Sequence, residues 1–237
     1  MHIALLGLPH AGKTTILEAV VEQHSEQPVG RGSTIRVRTG QAKVIDPRIT
    51  RLAADFVTRS TVYATLTFTD YQIPEGLLEP GKPLPVQLLN EFRGADGLIL
   101  VVRAFEDPSV FAPNGVDPLR DAKATQDELL FNDYAFLTSR VEKIASELKR
   151  GHKEMEKERP LIERLLAAVD AETPLRLVDL TDDDEKAIRS YGLLTRRPAL
   201  VLVNTGEDGS YTHAEELATW AKSQGMGLLA VRGKVEQ

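Results

Sequence analysis

Residues 3–15 read IALLGLPHAGKTT. A short apolar run, Ile3 to Leu6, ends at Gly7, and four residues later Gly12 is followed by Lys13 and Thr14. The spacing fits G-x-x-x-x-G-K-[ST], the Walker A loop. Glycines let the backbone turn tightly enough for successive N–H groups to converge on a phosphate chain. A helix starting near Lys13 adds the positive end of its dipole; the lysine reaches the β- and γ-phosphates and the Thr14 hydroxyl can ligate Mg²⁺. The flanks agree: an apolar strand before, and ILEAVVEQ with apolar residues at helical spacing after. The bland alternative is a chance glycine loop joining strand to helix. The full pattern in this context favours a phosphate cradle, made by Gly7, Pro9, His10, Ala11, Gly12, Lys13, Thr14 and Thr15.

The rest of the composition bounds the answer. With 237 residues, 42 % hydrophobic and 27 % charged, the chain suits one large α/β domain, or one domain with a sizeable insertion. A net charge of −6 argues against non-specific attraction to nucleic-acid backbones, and no sequence-specific nucleic-acid contact is expected. There is no cysteine, hence neither disulfide nor thiolate metal site. No apolar run approaches bilayer length and the N-terminus is no signal peptide, so a cytoplasmic protein is expected.

Downstream of the first helix, Ser25 to Ser33 reads as a loop, and Thr34 after it offers a hydroxyl at the place where a switch threonine closes over Mg²⁺ in P-loop GTPases. The bland reading of Thr34 is a strand or cap residue. IRVRTGQAKVI (35–45) reads as an edge strand or hairpin. DPRITRLAADF reads as a short helix with Asp46 as N-cap and Pro47 at its first position. TVYATLTFTD then forms a strand ending in Asp70, a Walker B carboxylate placed to hold Mg²⁺. GTPases continue D-x-x-G; here Ile73 stands where the glycine would be, with Pro74 after it, and Gln72 is the only candidate near Asp70 to position a water. Residues 85–94 read as a helix and 97–102 as a buried strand.

From about Asp121 to Lys149 the pattern is long and helical, with Leu130, Tyr134, Leu137, Val141, Ile144 and Leu148 in a coiled-coil-like stripe. Gly151 breaks it, and a second helix follows with Pro160 near its start and Ile162, Leu165, Leu166 and Val169 on one face. The expectation is an antiparallel helical hairpin projecting from the α/β body. Its charged outer faces serve either as ordinary solvated surface or as a partner-docking arm. Thr181 to Asp184 looks like a capping box. PALVLVN (198–204) is another buried strand delivering Asn204, Thr205, Gly206 and Glu207. In GTPases this loop reads N-K-x-D, where the acid takes hydrogen bonds from guanine; Glu207 and the lost lysine weaken guanine selection. Thr212 is expected to cap a helix to about Gln224, and GLLAVRGK gives a last strand leading to Arg232, Gly233 and Lys234, where a base-stacking loop would lie.

Together, GLPHAGKTT, STI near 34, IDPRITRLA, ATLTFTD, VVRAFEDPSV, VDPLRDA, the helical hairpin, LLTRRPALVLVN with its NTGE loop and VRGKVE resemble the YchF-type Obg-like ATPases, a branch of the Obg-related P-loop GTPases. The resemblance implies a G-domain-like, mostly parallel α/β sheet over 1–120 and 192–237, interrupted by an inserted helical arm over 121–191. It implies ATP in preference to GTP, Mg²⁺ held by Thr14, Thr34 and Asp70, and a purine lined by Asn204, Glu207, Arg232, Gly233 and Lys234. Lys13 and Asp70 would carry catalysis, with water attacking the γ-phosphate in line. Ribosomes or other translation components would be partners, through the arm. Three departures qualify this: Ile73, no histidine between Arg103 and Asp117, and no C-terminal TGS domain or final helix of the nucleotide domain. The first two point to slow or absent turnover, and the third to a short paralogue or a shortened chain whose exposed sheet face is covered by a partner or by self-association. A weak ATPase, a non-catalytic partner-binding module and a GTP-specific switch all remain open.

Overall fold

A computed structural model of the chain describes residues 1–21, 24–28, 35–56, 59–72, 86–108 and 115–236. Thr34, Ile73 and Pro74 lie outside the described residues, as do residues 109–114 of the loop between Arg103 and Asp117. Seven strands form one sheet: β1 (His2–Leu6), β2 (His24–Pro28), β3 (Arg36–Val44), β4 (Ala64–Gln72), β5 (Gly97–Ala104), β6 (Ala199–Thr205) and β7 (Gly227–Val231). Their order is β2-β3-β4-β1-β5-β6-β7. The pairs from β4 to β7 are parallel and the two pairs at the other edge antiparallel. The helices are α1 (Lys13–Val20), α2 (Pro47–Asp55), α3 (Val86–Arg93), α4 (Pro118–Lys149), α5 (Arg159–Asp170), α6 (Asp182–Ile188), α7 (Ala214–Ser223) and α8 (Gly233–Glu236).

Side chains alternate across a strand, so each sheet face has its own core. On one face Ala4, Leu6, Leu100, Val102, Val201 and Val203 pack against residues of α3, the first part of α4 and α7. On the other, Leu5, Val101 and Leu202 pack against Ile16 and Leu17 of α1. Coverage on both faces explains why β5 and β6 read as continuous apolar runs.

A further cluster gathers the later part of α4 with α5 and α6: Leu130, Leu137, Ile144, Ile162, Leu165 and Ile188 are buried there. Leu129 belongs to the sheet core and Leu130 to this second one, so a single helix serves both. Arg140 of α4 forks onto Glu158, both hydrogen bonds 2.6 Å, fixing α5 where it doubles back. Asp133 of α4 is buried and accepts from the backbone N–H groups of Leu194 and Thr195 (2.8 and 2.7 Å) and from the Thr195 hydroxyl (2.6 Å). This clamp ties α4 to the segment entering β6.

Local signals held. Asp46 caps α2 with Pro47 at its start, and Thr181 and Asp184 form the reciprocal capping box of α6. Five expectations need correction. Residues 24–28 are a strand, not loop, because their backbone pairs with β3 and Glu26 takes ion pairs from Arg36 and Arg38. That places β2 at the edge and β3 inside the sheet. Thr212 does not cap α7; His213 occupies the N-cap position in left-handed geometry (φ 58°) with no side-chain cap bond. A helical turn, α8, does follow the last strand and packs against α1. Tyr134, placed in the apolar stripe by its spacing, is 39 % exposed.

Candidate functional site

β1 lies between β4 and β5, so the loop leaving its C-terminal end opens where crossovers depart to opposite sides, the crevice where ligands bind in open α/β sheets. Gly7 sits there at φ 146°; a Cβ on it would lie 2.2 Å from the Val101 carbonyl oxygen. Gly12, at φ 88°, is the N-cap of α1, and a Cβ there would lie 2.1 Å from Asn204 Nδ2. Both positions therefore require glycine for conformation and for space. His10, between them, is also left-handed at φ 62°. No side chain caps α1, which leaves its first N–H groups available to an anion.

Lys13 bends back over this loop, its Nζ donating to the carbonyls of Gly7 and Leu8, both 3.0 Å. Burial pulls its ammonium below the ordinary lysine range, opposed by the nearby Asp70 carboxylate. Asp70, paired in register with Leu5, is 1 % exposed. The Thr14 hydroxyl donates to its Oδ2 at 2.6 Å, while its Oδ1 is buried with no hydrogen-bond partner among the described residues. A hydroxyl and a carboxylate with a spare buried oxygen are a donor set that suits a hard divalent cation. Among the described residues no group of three or more His, Cys, Asp or Glu side chains could hold a metal by itself, so phosphate and water would complete the shell. Gln72 belongs to β4 and shares a sheet face with Asp70.

Asn204, one residue before the end of β6, is buried, its Nδ2 donating to the Ala11 carbonyl (3.2 Å) while its Oδ1 accepts from Gly233 N–H (3.1 Å). One side chain thus joins the phosphate loop to the segment after β7. Thr205 adds a bond to the Val231 carbonyl at 3.0 Å. Beside this brace a pocket of about 760 Å³ is lined by Thr15, Glu207, Arg232 and Lys234, together with Phe105 to Pro108, Asp208 and Val235. Hydrogen bonds from Ser210, then the charge of Arg232, hold the Asp208 carboxyl below its ordinary range.

The structure therefore brings Gly7 to Thr15, Asp70, Asn204, Glu207 and Arg232 to Lys234 to one end of the sheet. Sequence reasoning missed Phe105, Glu106, Asp107, Pro108 and Asp208 as lining residues. The available signal was position: Phe105 directly follows β5, which ends at the same side as β1.

The chain is 27 % identical over 98 % of its length to the ribosome-binding ATPase YchF of Bacillus subtilis, covering 65 % of that protein. It is 31 % identical over 86 % of its length to the YchF of Mycoplasma genitalium, covering 56 % of it. Against Obg-like ATPase 1 of Oryza sativa subsp. indica it is 28 % identical over 87 %, covering 53 %. The structure of a Schizosaccharomyces pombe YchF GTPase superposes with a TM-score of 0.80 at 26 % identity, over all of this chain and 66 % of that one. The chain thus spans less than two thirds of the length of these relatives. No family model matches it.

Proposed function

From the standing of this chain as a homologue of the YchF-type Obg-like ATPases with a P-loop GTPase fold, we propose that it binds a purine nucleoside triphosphate, ATP before GTP, and hydrolyses it slowly if at all. The observation that carries the reading is the Walker A loop itself. An uncapped helix N-terminus, a bent-back Lys13 and a Thr14–Asp70 pair meet beside a pocket of about 760 Å³. Gly7 to Thr15 wrap the phosphates. Asn204 braces the loop, and Glu207 with Arg232 to Lys234 borders the base. Thr14 and Asp70 would hold Mg²⁺, with Thr34 as a third contributor. Bound there, the ion would supply charge neutralisation across the β- and γ-phosphate oxygens. Lys13, half-buried over the loop, supplies a positive charge next to where the phosphates would lie.

In this reading residues 1–120 and 192–237 form the nucleotide-binding unit and 121–191 an inserted arm. The gathering of one apolar cluster within residues 130–193 supports that division. The arm presents a partner surface, and the relatives named as ribosome-binding ATPases make a ribosomal partner the first to test.

Titration of fluorescent ATP and GTP analogues with Mg²⁺, in the wild type and in Lys13→Ala, tests the site. Charge-assisted hydrogen bonds contribute about 1.5–3 kcal/mol, so the variant should bind roughly 10- to 100-fold more weakly. Equal affinity in the two proteins refutes the phosphate site. Phosphate release in single turnover then separates an enzyme from a nucleotide-dependent binding module.

A further inference from the structure

The opposite end of β6 holds a second pocket. It is about 610 Å³ in volume and lies where the arm meets the body, between α6, the short helical turns Leu175–Leu177 and Arg189–Tyr191, the segment entering β6, and Gly225. Arg176, Lys186, Arg189, Arg196 and Arg197 line it with a single carboxylate, Glu185. In a chain whose net charge is −6, this is a local reversal of sign.

Two of those arginines are not fully used. Arg196 is spent on structure, donating to the carbonyls of Leu175 (2.6 Å) and Val178 (2.8 Å) and pairing with Glu185. Arg176 donates to the carbonyls of Arg197 (3.2 Å) and Gln224 (3.2 Å) and to Gln126 (3.4 Å), yet its Nη2 is buried with no hydrogen-bond partner among the described residues. Arg197 donates Nη2 to the Arg93 carbonyl at 2.8 Å, and its Nε is likewise buried and unpartnered. Those two atoms are closed off from solvent, so an anion in the cavity would meet the guanidinium groups at their other, cavity-facing atoms and would offset the cost of burying their charge. Gly225 makes the wall possible: at φ 68°, a Cβ on it would stand 3.5 Å from the Arg176 stem and 2.8 Å from Leu177. Burial pulls Arg176 down to about 10, which still leaves it charged at neutral pH, and Asp133 supports the charge.

We propose that this pocket binds a small phosphorylated ligand, at a site separate from the phosphate loop. With Arg196 paired to Glu185 and Lys186 to Asp183, three of the five cations around the cavity have no ion pair among the described residues, which calls for more than a single negative charge, and guanidinium forks match phosphate oxygens. A volume of several hundred Å³ suits a small molecule. Pro198 lines this pocket while Asn204 braces the nucleotide loop, so the strand between them separates the sites by roughly 20 Å.

Pyrophosphate is the probe, titrated calorimetrically into the whole chain. The wild type is expected to bind two equivalents, one of which Lys13→Ala should weaken roughly 10- to 100-fold while the other keeps its affinity. Exposed Lys186 and Arg189, changed together to glutamine, should weaken the remaining site roughly three- to tenfold and leave the loop site unchanged. Arg176→Gln should abolish the second site. Should that variant fail to fold, the rim pair decides alone. A single equivalent weakened in Lys13→Ala overturns the inference, as does a second equivalent indifferent to the rim pair. One equivalent that survives Lys13→Ala but weakens with the rim pair would instead overturn the P-loop reading and leave this pocket standing.

Discussion

Replacing Asp133 with asparagine tests the clamp between α4 and β6. Burial pushes this carboxyl from an ordinary 3.8 up to about 6, against the opposing hydrogen bonds of Thr195 and Leu194 and the charge of Arg93. A folded-state value above the unfolded one means that the folded protein holds the proton more tightly. The corresponding stability is fully present below about pH 4 and lost as pH rises through 6. Two pH units are worth about 3 kcal/mol. Asparagine cannot titrate, and it turns an NH₂ towards one of the three donors, so part of the hydrogen bonding is lost at every pH, about 1–3 kcal/mol. The difference between the two proteins cancels all other titrations. Urea unfolding of both at pH 7, 6, 5 and 4 should show the wild type gaining on Asp133→Asn towards acid, by about 3 kcal/mol in total. Parallel curves would show that the carboxyl is not perturbed. A difference running the other way would mean that the three donors outweigh burial, and the reasoning would be wrong.

Gly12→Ala combines left-handed strain with a clash against Asn204, breaking its bond to Ala11. A loss of about 2–3 kcal/mol is expected in urea, with nucleotide affinity falling alongside; an affinity equal to the wild type's would refute the close approach. Glu158→Gln keeps the shape of the arm's ion pair but removes its charge. With both side chains about one fifth exposed, a cost of about 1–2 kcal/mol in urea is expected, and no change would show the fork to be ornamental.

The mostly parallel α/β sheet was legible in the sequence, and beyond it what could be read was local. The phosphate loop, the Asp46–Pro47 start and the Thr181 capping box each depend on residues within one turn of one another. β2 was not legible because HSEQP has no apolar alternation. Its order comes from the β3 backbone and from arginines on β3. Thr212 carries the right chemistry for a cap, yet the chain passes through His213 in a left-handed turn, which composition does not announce. Tyr134 failed for a different reason. The stripe assumes one continuous seam, whereas α4 changes cores between Leu129 and Leu130, and the tyrosine follows by one turn. The lining residues Phe105 to Pro108 and the arginines of the second pocket are assembled by topology from separated segments, so only the sheet order reveals them.

The clamp on α4 has a mechanical meaning. The helix runs unbroken from Pro118 to Lys149, and Asp133 pins it near its midpoint. At 1.5 Å per residue, roughly 22 Å lie on the Pro118 side of that pin and roughly 24 Å on the other. A rod held at its middle is a balance beam with arms of nearly equal length. Each arm is bedded in its own core, the first against the sheet and the second against α5 and α6, so a displacement of one reaches the other only through the pin and the stiffness of the helix. Arms of equal length carry a small movement across without magnifying it.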